Sequence, residues 1–535
     1  MIYIIQNIKL SIEASKDEAF AIAKHRLLKF FSKNTIGEMS IYKTSIDARK
    51  KENICFVYSV SAKISAGARV DEKTLAKEGI VPLQEDSLDV VFGEEQMADR
   101  PVVVGFGPCG MFCALLLAKH GYRPIVIERG ASVKQRTGDV ERFSKFGILD
   151  PESNIQFGAG GAGTFSDGKL VTRINDAKCG YVLSEMHRLG APDEILYKAK
   201  PHIGTDYLKK VVENMEQEII QLGGDVLFHT KLENISISNG KIDSIQTNKG
   251  ALPCGALILA LGHSARDTFS MLASKGLSMI PKAFSVGVRI EHLQEDIDYA
   301  LYGKMAGHPK LPKGEYNLSC HYGDRGVYTF CMCPGGQVVA AASEEGGVVT
   351  NGMSNFLRNG RNANSAVAVS VNPSDYGNSI ETAVGFQRNL ESAAYKAANH
   401  SYAAPCQTVG DFLDMTKNKE PGRVLPSYRN GMVTMTSLKA VLPSFVSESL
   451  KFGLQNFDKK IKGFAASDAI LTGVETRTSS PLRILRDEDF SAKGFDNLFP
   501  CGEGAGYAGG ITSAAVDGMK CALAIIKKYK PFSNI

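Results

Sequence analysis

Residues 101–129, PVVVGFGPCGMFCALLLAKHGYRPIVIER, constrain the rest of the chain more than any other stretch. A short apolar strand, Pro101 to Val104, runs into the turn Gly105-Phe106-Gly107-Pro108-Cys109-Gly110. An apolar helix follows from about Met111 to Lys119, and a second strand, Pro124 to Ile127, ends in Glu128. This is the βαβ dinucleotide fingerprint in its structural context, strand before and helix after. Gly105 permits the tight turn, Gly107 lets the backbone approach a pyrophosphate, and Gly110 lets the helix pack against the strand. The helix N-terminus, with Pro108 and Met111 in its first turn, offers unpaired N–H groups and a positive dipole end to the phosphates. Glu128, roughly 20 residues on and followed by Arg129, is placed to accept hydrogen bonds from both ribose hydroxyls.

Bulk properties narrow the remaining possibilities. A chain of 535 residues is too long for one ordinary domain, and two or three are expected. With 44% apolar and 22% charged residues the composition is that of a globular protein. The net charge of +5 is small for this length and argues neither for nor against nucleic acid. No apolar run approaches the roughly 18 residues of a membrane span, and the N-terminus MIYIIQNIKLSIEASKDE lacks the basic flank of a signal peptide. The 11 cysteines follow no disulfide-framework spacing and include no C-x-x-C pair. That pattern points to a reducing, cytoplasmic setting without a zinc or iron–sulfur site.

Taken in order, residues 1–95 form a ferredoxin-like α+β module. IYIIQNIKLSI alternates as a strand, and Asp17 to Phe31 is an amphipathic helix. Strands are expected near 37–46, 54–64 and 88–92, a weaker helix near 72–77, and an acidic linker over 85–95. Lys24, Arg26, Lys29, Lys33, Lys43, Arg49, Lys50 and Lys51 read as a solvated face, with a nucleic-acid contact as the alternative. Residues 99–280 are the first part of the nucleotide domain. There Gly158, Gly160 and Gly163 spell a second GxGxxG, but no buried strand precedes it and no apolar helix follows. The segment reads instead as a cofactor-wrapping loop, with Gly160, Gly161, Gly163 and Thr164 forming an anion-binding nest. A helix (206–221), a strand (225–230), a meander turning at Asn239-Gly240, and a buried strand (256–261) ending in Gly262 complete this part.

Residues 281–480 lack nucleotide signals and read as a substrate domain. Val286, Val288 and Ile290 alternate with polar neighbours as in a half-buried strand. A hairpin is expected from 327–333 through Pro334-Gly335-Gly336 to 337–342, and helices near 379–399 and 445–461. Residues 481–535 return to the nucleotide domain through Phe499-Pro500-Cys501-Gly502-Glu503-Gly504, a glycine-rich turn, and a final helix from Ile511.

An early GxGxxG with a downstream acid, a middle strand ending in glycine, and a late strand–Gly–acid–Gly–helix resemble the FAD-binding domain of the glutathione-reductase-like flavoproteins. The fold implied is α/β, with a discontinuous Rossmann-like FAD-binding domain, an inserted α+β substrate domain and the N-terminal ferredoxin-like module. The resemblance implies that Glu503 takes a ribityl hydroxyl and that Leu232 meets the adenine through its backbone. It also implies that N–H groups near Gly510, Ile511 and Thr512 favour negative charge on the reduced flavin. The superfamily more often carries Asp at the position of Glu503. FGAGGAGTFSDGKL, PHIGTDYL, FCMCPGG, RTSSPLRI and CGEGAGYAGGI are also similar to a bacterial family of uncharacterised FAD-dependent dehydrogenases, sometimes labelled NAD(FAD)-utilising. That similarity implies FAD and a redox role; with no second Rossmann unit in the sequence, either NADPH or NADH visits the same cleft as a transient electron donor or the reductant is something else. The similarity names no substrate.

Flavin supplies the hydride chemistry, so the candidate catalytic residues are polar groups beside the glycine loops. Lys169 and Arg173 follow the long glycine loop. His202 is a candidate general acid or anion binder, with capping of the following helix by Thr205 or Asp206 as the alternative for its segment. Arg477 and Arg483 either clamp a substrate carboxylate or phosphate or form an interdomain joint. Tyr507 precedes the last helix. Cys331 and Cys333 lie about 7 Å apart on a regular strand, too far for a disulfide whose Cβ atoms need about 3.5–4.5 Å. They and the Cys109/Cys113 pair read as packed thiols. A flavin-dependent RNA-modifying enzyme and a non-catalytic flavin sensor are the rival readings.

Overall fold

The computed structural model describes residues 1–65, 71–83, 88–416 and 419–532. At the N-terminus four antiparallel strands lie in the order Ile36–Asp47, Cys55–Ile64, Ile2–Ser11, Ile80–Pro82. With helices Lys16–Leu27 and Glu72–Lys77 this is a βαββαβ unit with ferredoxin-like strand order. Ser15 and Glu18 close a capping box at the start of the first helix, and Ala19, Ala23 and Leu27 turn inward onto Ile5, Ile8 and Val60. The last strand is not at 88–92. Ile80 and Val81 already pair with Ile5 and Ile4, and the chain from Leu88 to Glu95 instead runs along the C-terminal helix, with Gly93 N–H donating to Ile526 O at 2.8 Å. Residues 85–87 of the expected linker lie outside the described residues.

The nucleotide fingerprint sits in a five-stranded parallel sheet ordered Leu498–Pro500, Ala256–Leu259, Pro101–Val104, Ile125–Ile127, Asp225–Leu227. The middle strands are buried along their length, as a sheet covered on both faces requires. Helix Pro108–Lys119 has almost no polar surface because helices Ile511–Lys528 and Gly204–Gln221 enclose it. Strand 225–227 stops three residues before the expected end, where His229 adopts φ 52° and its N–H turns to Gly130 O. The meander Leu232–Ser238, Lys241–Thr247, Gly250–Pro253 packs beside this sheet, with Asn239 and Gly240 both at positive φ as a two-residue hairpin turn needs.

The middle third builds a seven-stranded, mainly antiparallel sheet. Its order is Ser319–Tyr322, Arg325–Cys333, Asn362–Val371, Phe284–Leu293, Ile470–Glu475, Ala404–Thr408, Val433–Met435. Helices Ile380–Ala397 and Ser444–Lys460 form where their apolar periodicity places them. Strand 284–293 is not half-buried. All ten positions are buried, because its polar residues meet partners inside: Arg289 with Glu475, Glu291 with Asn362 and Ser427, Ser285 with Thr478. The expected 327–342 hairpin does not form either. Gln337–Ala340 pairs with Thr350–Met353 in a separate two-stranded sheet, since the turn amides of Gly335 and Gly336 are taken by Gln294 Oε1 and Asn362 O. Among the described residues no helix is long and apolar enough to cross a membrane.

Candidate functional site

One cleft of about 1180 Å³ runs from the parallel sheet to the seven-stranded sheet. It exceeds the roughly 300–1,000 Å³ of ordinary small-molecule sites, leaving room for an extended dinucleotide and a second molecule. Its floor is the Gly105–Cys109 turn, and Gly105 at φ 102° lets that turn fold back beneath the sheet edge. Gly107 is the N-cap of helix 108–119 and no side chain caps that end. Helix 511–528 begins at Gly510 in the same uncapped way. Both positive helix ends therefore open into the cleft with unpaired N–H groups, the arrangement that holds anionic ligand groups.

The second glycine loop lies over the first. A Cβ on Gly161 would come within 2.9 Å of Gly107 Cα, so the two backbones pack face to face. The loop is held from behind by Arg136, which is fully buried and donates to Asn154 O, Ile155 O, Gly158 O and Ala159 O. Burial lowers the Arg136 pKa to about 10, with nearby Glu128 pulling the other way. Sequence reasoning missed this residue, because nothing local marks an arginine 22 residues upstream as the loop's scaffold. Glu128 does reach the cleft, but its carboxylate already accepts from Phe106 N (2.8 Å), Gly130 N (2.9 Å) and Gly158 N (2.9 Å). A carboxylate has about four acceptor sites, so one remains for a ribose hydroxyl rather than a pair. Arg129 is committed to Glu152 and Asp267 and stacks on Phe157.

Glu503 sits at the far end of the floor. Among the described residues its carboxyl has no hydrogen-bond partner, and burial raises its pKa to about 7, with Lys282 opposing and Cys331 adding to the shift. An unpartnered carboxyl that lines the same cleft as two uncapped helix ends fits a ligand with hydroxyl groups beside its phosphates, as the ribityl-diphosphate chain of FAD provides.

The structure divides the sequence-derived residues. Gly105, Gly107, Pro108, Glu128, Arg129, Gly161, Gly163, Leu232, Gly262, Glu503, Gly510 and Ile511 line the cleft, as do Lys169, Arg173, Arg477 and Tyr507. Gly110, Met111, Gly160, Thr164, Gly502 and Thr512 stand behind it. Gly110 underlies the turn, Thr164 Oγ1 is turned to Ala159 O, and Thr512 Oγ1 to Leu170 O. His202 is outside the cleft: its Nε2 lies 2.9 Å from Phe356 O and its ring stacks on Phe356, which removes it from the general-acid role. Neither alternative cap holds, since helix 204–221 starts at Gly204. Thr205 Oγ1 donates to Thr164 O, and Asp206 accepts from Phe356 N.

Arg477 is not a free clamp. It donates to both Glu391 oxygens, to Ser264 and to Ser343, beside Arg266, which grips the same Glu391. It ties Ser264 and Ser343 to helix Ile380–Ala397 through Glu391. Arg483 is turned to Gly506 O, and the Tyr507 hydroxyl to Ile484 O beneath the Arg486 guanidinium. Lys169 pairs with Glu315 at 2.9 Å beside the buried Asp167–Arg358 pair. Arg173 is the exposed cation at the mouth. Cys109 and Cys113 face the last helix and strand end, with Cys109 Sγ 3.1 Å from Cys501 Sγ. The seven-stranded sheet contributes Tyr328, Thr329, Phe330 and Cys331 to the opposite wall.

Residues 283–478 match the family model described as FAD-dependent protein, C-terminal domain-like, and residues 1–63 match a domain of unknown function (DUF8436). Among solved structures, L-proline dehydrogenase from P. horikoshii is 14% identical over 82% of this chain and 96% of its own, with a TM-score of 0.34. Glycine oxidase from Bacillus cereus is 10% identical over 81% and 96%, with a TM-score of 0.31. CtdE in complex with FAD is 12% identical over 80% and 84%, with a TM-score of 0.31. An uncharacterized protein of Clostridium beijerinckii is 50% identical over 533 residues, 98% of each chain. The chain belongs to the family of that clostridial protein, and it carries the C-terminal domain of FAD-dependent proteins.

Proposed function

We propose that the protein is an FAD-dependent oxidoreductase, a dehydrogenase or reductase that works in the cytoplasm on a small molecule held between the flavin and the seven-stranded sheet. The observation that carries the reading is the convergence of two uncapped helix N-termini and the unpartnered Glu503 carboxyl on one cleft beneath the FAD-dependent-protein domain. In this reading residues 99–280 and 481–535 form one discontinuous FAD-binding domain. Residues 281–480 form the substrate domain, and residues 1–95 a ferredoxin-like module.

Bound FAD supplies two-electron redox chemistry. The chain's own residues bind and orient it. The Gly107–Pro108 helix end receives the diphosphate, and Glu128 accepts one ribose hydroxyl while bracing the turn. The Leu232 backbone meets the adenine, and Glu503 exchanges a hydrogen bond with a ribityl hydroxyl. The N–H groups at Ile511 favour negative charge at the flavin's pyrimidine end. Tyr328 and Phe330 line the sheet side of the cleft and would exclude water from a flavin held there. NADPH or NADH enters the same cleft as a transient donor.

A visible spectrum of the purified protein, followed through anaerobic titration with NADPH and then NADH, tests this. A flavin band that bleaches with one of them is the expected result. No flavin band after supplementation with FAD refutes the reading.

A further inference from the structure

We propose that Cys331 and Cys333 are a redox-active dithiol–disulfide pair at the sheet end of the cleft, exchanging two electrons with the flavin bound there. The inference rests on the flavin reading above.

A regular strand would hold these side chains apart, but this strand is not regular. Its pairing with 362–371 runs from Val327↔Val369 to Phe330↔Ala366 and then skips to Cys333↔Asn364, so one extra residue is inserted. Cys331 takes up the excess at φ 45°, a left-handed conformation uncommon outside glycine and concentrated at functional sites. The bulge breaks the alternation that would carry both side chains outward. It folds the Cys333 thiol back over its neighbour's backbone, where it donates to Cys331 O at 3.3 Å.

The two sulfurs differ in access. Cys331 lines the cleft that Glu503 and Ile511 close from below, whereas Cys333 is fully buried behind it. That is the layout of an exchanging thiol and its resolving partner. Arg289, fully buried, reaches both: its Nη1 donates to Cys331 O at 3.2 Å and lies 3.9 Å from Cys333 Sγ. A cation against the sulfur favours the thiolate, the reactive form. The Cys331 thiol is drawn down to about 7, first by the neighbouring Cys333 thiol and then by Arg289, against burial, while Cys333 is held well above its ordinary value. Cys109, 3.1 Å from Cys501 Sγ, is by contrast pushed up to about 11 by burial.

The step balances as follows. The S–H bonds of Cys331 and Cys333 break and one S–S bond forms. Two electrons and one proton pass to the oxidised flavin, and the second proton leaves to solvent. The reverse step reduces the disulfide.

The test is anaerobic dithionite titration of the flavin-loaded full chain, paired with thiol alkylation and peptide mass analysis. Tryptic peptide 326–358 contains Cys331 and Cys333 and no other cysteine. We expect the oxidised protein to take up twice the electron equivalents of its flavin. Peptide 326–358 should be lighter by two hydrogens before titration and doubly alkylated after it. Cys331→Ser and Cys333→Ser should each return uptake to the flavin equivalents alone at unchanged flavin content. Uptake matching the flavin alone in the wild type, with the peptide doubly alkylated throughout glutathione-disulfide treatment, overturns the proposal. A chain without a flavin band refutes the proposed function and with it this electron route, a failure told apart by the spectrum.

Discussion

Glu391 joins Arg266, beside the parallel sheet, to Thr476 and Arg477 at the end of strand 470–475, and removing it has a cost that the structure allows to be worked out. The carboxylate is 2% exposed and accepts five hydrogen bonds: two from Arg266, two from Arg477 and one from Thr476. Summing charge-assisted bonds at about 1.5–3 kcal/mol each overstates the loss, because the bonds share one desolvated carboxylate. The governing quantity is what stays behind. In Glu391→Ala two buried guanidiniums, those of Arg266 and Arg477, lose their shared carboxylate; among the described residues Arg266 keeps Glu344, already paired with Arg388, and Arg477 keeps no ion pair. Orphaning a partner of a buried ion pair costs about 3–5 kcal/mol. Roughly 430 cooperating residues carry an unfolding entropy of about 0.9 kcal/mol/K, so the thermal midpoint of Glu391→Ala should fall by about 3–6 °C.

Acid pH separates charge from packing in this joint. The two arginines hold the Glu391 pKa well below the ordinary carboxylate range against the opposing effect of burial. A depressed acid contributes stability that is present above its unfolded pKa, near 4.5, and is lost as pH falls toward the folded value. Glu391→Gln should therefore flatten the acid limb of the stability profile below that pKa while keeping the side-chain volume. The assay is differential scanning calorimetry of wild type, Glu391→Ala and Glu391→Gln from neutral to acid pH. A thermal midpoint for Glu391→Ala within a degree of wild type, or an unaltered acid limb in Glu391→Gln, would refute the reasoning.

Further outcomes follow from the same geometry. Glu503 is raised to about 7, so the folded protein retains a proton that the unfolded chain releases above about 4.5, and this group's contribution falls as pH rises between those values. Glu503→Gln should remove that slope and stabilise the flavin-free protein at pH 8 by at most about 3 kcal/mol, less the part that cleft water offsets, as read by urea unfolding at pH 5 and 8. A Cβ on Gly518 would fall on the Cys109 carbonyl oxygen, so Gly518→Ala should separate the two helices that meet beneath the cleft. The expected cost is about 1–3 kcal/mol with weakened flavin retention on gel filtration. Because its ring faces Phe356 rather than the cleft, His202→Gln should leave the rate of flavin bleaching by a pyridine nucleotide within about twofold, as read by anaerobic stopped flow.

Much of the site was legible in the sequence where function depends on local spacing. The Gly105–Gly110 turn, the acid at Glu128 and the Gly502–Ile511 return are each encoded within a few residues of backbone. Glycine spacing dictates the turn, and the helix that follows exposes its N–H groups whatever else the chain does. The alternation of the first strand and the amphipathic period of the helix after it likewise marked the N-terminal module. Elements whose partners are distant were misread. The polar half of strand 284–293 looked solvent-facing because Glu475, which neutralises Arg289, lies 186 residues away.

Which polar side chains face the cleft was decided by tertiary structure alone. Arg477 and His202 carry the chemistry of catalytic groups, yet one is consumed by Glu391 and the other by the Phe356 carbonyl. Cys331 looked inert on a regular strand and becomes a cleft residue because a single inserted position shifts its register against 362–371. Sequence period reports the face a residue takes only while the ladder is unbroken, and a bulge is set by the neighbouring strand. Local sequence determined where a dinucleotide's phosphates can rest. The packing of segments far apart in the chain decided what surrounds them, because burial and charge pairing are properties of neighbours in space.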